Sequence, residues 1–167
     1  MLSAERVIEL LRLEPLPIEG GHFRRTYLAD ETIAAGALPA RYRQARAFGS
    51  AIYYLLRGDD FSALHRLASD EVYHFYLGGP TELLLLRPDG EHETIVLGPD
   101  LETGQRVQAV VPRGAWQGMR LVQPDTWALL GTTMAPAYDD GDFELGARDP
   151  LIERYPACAA WIRALTR

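Results

Sequence analysis

The stretch HRLASDEVYHFYLG, residues 65–78, puts His65, Glu71 and His74 within ten positions of one another. An imidazole titrates nearest neutral pH, so His65 can accept or donate a proton in the usual working range. A neighbouring carboxylate such as Glu71 can stabilise the imidazolium or orient the ring. Three readings stay open for this cluster: metal ligation, acid–base catalysis, or polar residues that are merely hydrogen-bonded beside a core. Strand alternation separates His74 from Glu71, because Glu71, Tyr73 and Phe75 share one face while Val72, His74 and Tyr76 share the other. Only a bulge would bring His74 to Glu71; otherwise it faces a second sheet or a partner subunit.

Other chemistries are excluded by composition. All seventeen basic residues are arginine, so Schiff bases and lysine general bases are ruled out. There is no Walker-A or Rossmann glycine pattern to cradle a nucleotide. The net charge is −6 with no basic run, which argues against a nucleic-acid partner. Cys158 is the only cysteine, which excludes an internal disulfide framework and suits a reducing cytosol. Glu5, Arg6 and Glu9 stand where a signal peptide would be apolar, and no run approaches membrane-spanning length, so a cytoplasmic protein without membrane contact is expected.

The elements that must position these residues are mostly short strands. Ser3 can cap a helix running to about Leu13, which Pro15 and Pro17 end. Strands are expected at 22–28, 50–56, 61–67, 71–77, 81–87, 92–97, 107–111, 116–123 and 126–133, with Gly- and Pro-rich turns between them. Such spacing argues for an all-β sandwich or barrel, here as one domain, residues 1–167, with its barrel at about 20–146. A final helix is expected from about Ala157 to Leu165. The segment from Ala29 to Phe48 reads as a long loop whose Arg41, Arg43 and Arg46 either clamp an anion or form a solvated surface.

Two spacings in this strand pattern carry a resemblance. Gly58, His65, Glu71 and Gly78 form G-x6-H-x5-E-x6-G, and Gly104, Pro112, Gly114 and Gln117 form G-x7-P-x-G-x2-Q. Both resemble the motifs of the cupin superfamily. EGGHFRRTY (19–27), SDEVYHFYLG (69–78), LGPDL (97–101), VVPRGAWQ (110–117) and DFELG (142–146) resemble its small single-domain bacterial and fungal branch of unknown function. The resemblance covers about residues 13–155 and implies a double-stranded β-helix, the jelly-roll cupin barrel, with a short helix at each end. It also implies a metal set of His65, Glu71 and Gln117. However, Leu67 stands where the second histidine of that set would be and Gln117 where the third would be. A neutral amide oxygen substitutes weakly for imidazole, so the expectation is no cofactor or a weakly held divalent metal.

The arrangement also resembles metal-free sugar-nucleotide epimerases of the superfamily, in which a histidine abstracts a proton beside a carbonyl and a tyrosine returns one. On that reading His65, Glu71 and Tyr53 are the catalytic candidates, with Tyr54 and Tyr73 as other possible proton donors. Arg24, Tyr73, Phe75, Trp116, Gln117 and Phe143 are the substrate-binding candidates. Arg24 would instead be structural if it paired with Asp142 or Glu144. The expected function is therefore binding of a small sugar-like or carbonyl-containing molecule in the barrel, with epimerase or isomerase chemistry at His65. The alternatives are a metal-dependent isomerase, dioxygenase or decarboxylase, and a non-catalytic ligand sensor. A homodimer is expected, with His74, Tyr76 and the strand at 83–86 as candidate contacts.

Overall fold

In the computed structural model, which describes residues 2–167, the chain opens with α1 (Ala4–Leu11). The Ser3 hydroxyl accepts a hydrogen bond from the Arg6 amide at 3.3 Å, and Arg12 closes the helix in a left-handed conformation. The strands follow as β1 (Glu14–Pro15), β2 (His22–Leu28), β3 (Thr32–Ile33), β4 (Arg46–Ala47), β5 (Ser50–Arg57), β6 (Phe61–Arg66) and β7 (Glu71–Gly78). After them come β8 (Thr81–Leu86), β9 (His92–Leu97), β10 (Gln108–Val111), β11 (Trp116–Leu121), β12 (Trp127–Met134) and β13 (Glu144–Leu145). They form a six-stranded sheet of order β1-β2-β5-β12-β7-β10 facing a five-stranded sheet of order β13-β6-β11-β8-β9. Every pairing between these strands is antiparallel, and the two sheets close as the expected double-stranded β-helix.

The inner faces meet in a core that includes Tyr54, Leu56, Tyr73, Leu83, Leu85, Val111, Met119 and Leu130. Alternation explains the run Leu83–Leu86: Leu83 and Leu85 point into this core, while Leu84 and Leu86 point out. The outward pair is covered by α2 (Arg148–Arg154) and α3 (Ala159–Ala164) through Leu151, Ile162 and Leu165. Burying each such leucine contributes about 1.5–3 kcal/mol. The strand at 83–86 is thus covered on both faces, which corrects the expectation that it contacts a partner subunit. The final helix is α3, slightly shorter than expected, and α2 is an additional helix that hydropathy did not announce. Pro150 lies in its first turn, where a missing backbone N–H costs nothing.

The 29–48 excursion is anchored to the barrel rather than loose. Its ends pair as the β3–β4 hairpin, and the Tyr42 and Ser69 hydroxyls lie 2.8 Å apart. Arg41 donates to the Ala68 carbonyl, and Arg46 is buried, donating to Asp142 at 2.7 Å. Gln44 donates to Asp139, so this excursion straps residues 137–143 against the open end of the barrel. Among the described residues no helix is long and apolar enough to cross a membrane.

Candidate functional site

The open end of the barrel holds a cavity of about 530 Å3. Cross-strand register explains its walls, since residues paired across a sheet share a face. On the six-stranded sheet the inward rows are Phe23–Tyr54–Leu130–Phe75, then Arg25–Ile52–Thr132–Tyr73, then Ser50–Met134–Glu71. The first row is core, apart from Phe23, which also lines the cavity. The last two border the cavity, except for Tyr73, which is buried beneath it.

From the facing sheet comes His65, on β6 and 2 % exposed. Its Nδ1 lies 2.8 Å from the Ala63 carbonyl oxygen, which can only accept. Nδ1 therefore carries a proton, and Nε2 is the nitrogen left to exchange one. The ring stacks on Phe143, with centroids 5.1 Å apart and planes at 19°. Both side chains line the cavity.

Glu71 enters from the start of β7, buried, and accepts from Gln117 Nε2 at 2.8 Å. Burial raises its pKa above the ordinary carboxylate value; the charge of His65 opposes the rise and that of Glu19 adds to it. Gln117 is the cross-strand neighbour of His65 and bridges the two sheets to Glu71, while His65 and Glu71 both line the cavity. Gln117 itself lies behind the cavity wall. Its amide turns an N–H toward the carboxylate and its oxygen is buried without a partner. With Leu67 on the wall as well, this donor set does not fit a divalent centre, which needs oxygen or imidazole donors converging on one point.

Glu19 and Tyr138 are among the cavity residues that escaped the sequence reading. Glu19 reaches the wall from a tight turn in which Gly20 and Gly21 have φ of 106° and 72°. A Cβ on Gly20 would collide with the Phe61 carbonyl oxygen, so glycine is required there. The Ser62 hydroxyl donates to Glu19 Oε1 at 2.8 Å. Tyr138 lines the opposite lip, its amide donating to Ser50 Oγ at 3.1 Å. Burial, then Asp140, pushes its phenol far above the usual value, so it stays protonated. The cluster YDDGDF ahead of DFELG was the available signal, but no periodicity marks a loop tyrosine.

Several sequence candidates stand elsewhere. Tyr54, not Tyr53, is the inward tyrosine of β5, and its hydroxyl donates to the Gly20 carbonyl at 3.0 Å. Tyr53 faces outward in the row Arg24–Tyr53–Gly131–His74, where it meets the Tyr76 ring edge-on at 6.0 Å. Tyr76 leans over Gly131, where any Cβ would strike its ring. Arg24 borders the cavity but carries its guanidinium to the Tyr53 ring, 5.8 Å from the centroid, and Arg25 takes the inward position. The carboxylates suggested as its partners are taken, Asp142 by Arg46 and Glu144 by Arg66. Phe75 packs in the core with Tyr73. Trp116 faces out, under the Arg66 guanidinium and against the C-terminal helices, because the inward position of β11 falls to Gln117. His74 is on the outer face, its Nε2 2.5 Å from the Thr133 hydroxyl.

Comparison with known proteins agrees with this architecture. The family described as "Cupin superfamily (DUF985)" matches residues 5–146. The crystal structure of protein SO0799 from Shewanella oneidensis superposes with a TM-score of 0.88 at 34% identity, covering 100% of this chain and 99% of that one. A hypothetical protein from Leishmania major superposes at 0.86 with 26% identity, covering 99% of each chain. The uncharacterized protein YML079W of Saccharomyces cerevisiae is 26% identical over 132 residues, 74% of this chain and 66% of that protein, just short of two thirds of its length. A dTDP sugar isomerase from Desulfovibrio desulfuricans shares the fold, with a TM-score of 0.53 at 20% identity over 76% of this chain and 85% of that one.

Proposed function

Since this chain belongs to the DUF985 family of the cupin superfamily, we propose that its cavity binds a small sugar-like or carbonyl-bearing molecule and moves a proton on it through His65. The observation that carries this reading is the fixed imidazole: Nδ1 is tied to the Ala63 carbonyl and the ring borders the cavity beside Glu71. His65 Nε2 takes the proton from the carbon next to the substrate carbonyl. The C–H electron pair moves to form an enolate, with its charge on the carbonyl oxygen. The Glu71 carboxylate favours the imidazolium that results. Tyr138, protonated on another wall of the cavity, returns a proton to the same carbon, which inverts it. Positioned proton transfer of this kind supplies about 10²–10⁴-fold of rate. The Phe143 ring against His65 lowers the local dielectric and limits access of water.

The test is solvent exchange. The protein is incubated in deuterated buffer with a panel of aldoses, ketoses, keto-sugars and their phosphate esters, and proton NMR follows the position beside the carbonyl. Exchange is expected for at least one compound, is expected to survive chelator, and is lost in His65→Asn. Exchange of equal rate in His65→Asn sinks the proposal. Binding of a panel member without any exchange would favour the sensor reading instead.

A further inference from the structure

The cavity wall carries charges of both signs, and they describe the ligand. On β2, Arg25 projects inward beside Ile52, and no carboxylate of the described residues pairs with it. Arg24 beside it has a buried Nε without a partner. The same wall carries Glu19 and Glu71, whose only hydrogen-bond donors are neutral hydroxyl and amide groups. Asp139, also on the wall, differs from these, since Gln44, the Gly141 amide and Arg46 already serve it. Arg25 and Glu71 enter the cavity from different strands. Arg25 and Thr132, which supports the Glu71 carboxylate, are two strands distant, about 10 Å between backbones.

We infer that the cavity takes a dipolar small molecule of roughly hexose size, with a single carboxylate or phosphate at Arg25 and ammonium or hydroxyl donors at Glu19 and Glu71. The inference rests on the reading of this cavity as a substrate site and names its substrate class. A multiply charged group such as a diphosphate is disfavoured. Even without Asp139, which pairs with Arg46, the wall's Glu14, Glu19, Glu71 and Asp140 outnumber Arg24 and Arg25. An anion for the solvated Arg25 guanidinium and donor groups for the buried Glu71 on one molecule satisfy both, because a buried carboxylate gains most from a matching donor.

Isothermal titration with four probes at millimolar concentration tests this: glucosamine 6-phosphate, glucose 6-phosphate, glucosamine and inorganic phosphate. Glucosamine 6-phosphate is expected to bind tightest. Arg25→Gln, at an exposed position that the fold does not need, should weaken both phosphate esters by about tenfold and leave glucosamine unchanged. Glu19→Gln, which keeps the oxygen that Ser62 bonds, should weaken the amine-bearing probes more than glucose 6-phosphate. Equal binding of the esters by wild type and Arg25→Gln, or no binding of any probe, overturns the inference. The outcomes separate from those of the exchange test. Proton exchange on neutral compounds that ignores Arg25→Gln would leave His65 chemistry standing and remove the dipolar ligand, whereas Arg25-dependent binding without exchange would do the reverse.

Discussion

At the residue scale, the site turns on which atoms are committed before a ligand arrives. His65 Nδ1 is spoken for by the Ala63 carbonyl, so the proton-exchanging work falls to Nε2 alone. Glu71 is a buried carboxylate with its folded pKa above the ordinary 4.5. The folded state therefore holds that proton more tightly than the unfolded chain. The stability it contributes is fully present below about 4.5 and is lost as pH rises through the folded value. Glu71→Gln keeps an oxygen for Gln117 and removes the ionisation. Thermal melts are expected to favour the variant over wild type at about pH 8, with the gap closing toward about pH 5. A wild type that gains on the variant as pH rises would show that the ionised form is the one the fold stabilises. His65 and Glu71 were legible as candidates because their residue types and spacing are distinctive. Arg25, Glu19 and Tyr138 were not: choosing Arg25 over Arg24 needs the face of β2, and the other two sit in turns without periodicity.

At the element scale, the 29–48 excursion and the C-terminal helices do different work. Arg46 and Asp142 are 4% and 3% exposed and bonded at 2.7 Å, which ties the excursion to the segment carrying Tyr138 and Phe143. Removing one partner strands a buried charge, so Arg46→Met should destabilise by about 3–5 kcal/mol in urea unfolding. The double variant Arg46→Met with Asp142→Leu should recover much of that loss, because replacing both charges with apolar groups costs far less than orphaning one. A double variant as unstable as the single one would assign the loss to packing rather than charge. On the other side, Ile162 is fully buried over the outer face of the five-stranded sheet. Ile162→Ala should cost about 2–5 kcal/mol and leave the solvent-exchange reaction intact, since α3 contributes nothing to the cavity wall. The strands were readable from alternation and turn residues. The excursion was not, because its anchors, such as the buried ion pair between residues 96 positions apart, are long-range contacts.

At the scale of the whole molecule, the homodimer expected from the sequence is proposed for the outer face and edge of the six-stranded sheet. There Tyr76, Leu77 and Val110 are about half exposed, and β10 is an edge strand. Sedimentation is expected to find a dimer that Val110→Asp converts to monomer; a wild-type monomer at micromolar concentration removes the proposal. The sequence by itself indicated the nine longer strands and singled out His65 and Glu71 as candidates, and its motifs' resemblance implied the jelly-roll class, since alternation, turn residues and motif spacing are local and survive without coordinates. The short β1, β3, β4 and β13 were not indicated. The tertiary structure alone decided which of two adjacent arginines or tyrosines meets the cavity, and that Trp116 lies under helices. A side chain's face depends on register and bulges, which are fixed only when both sheets close on one core.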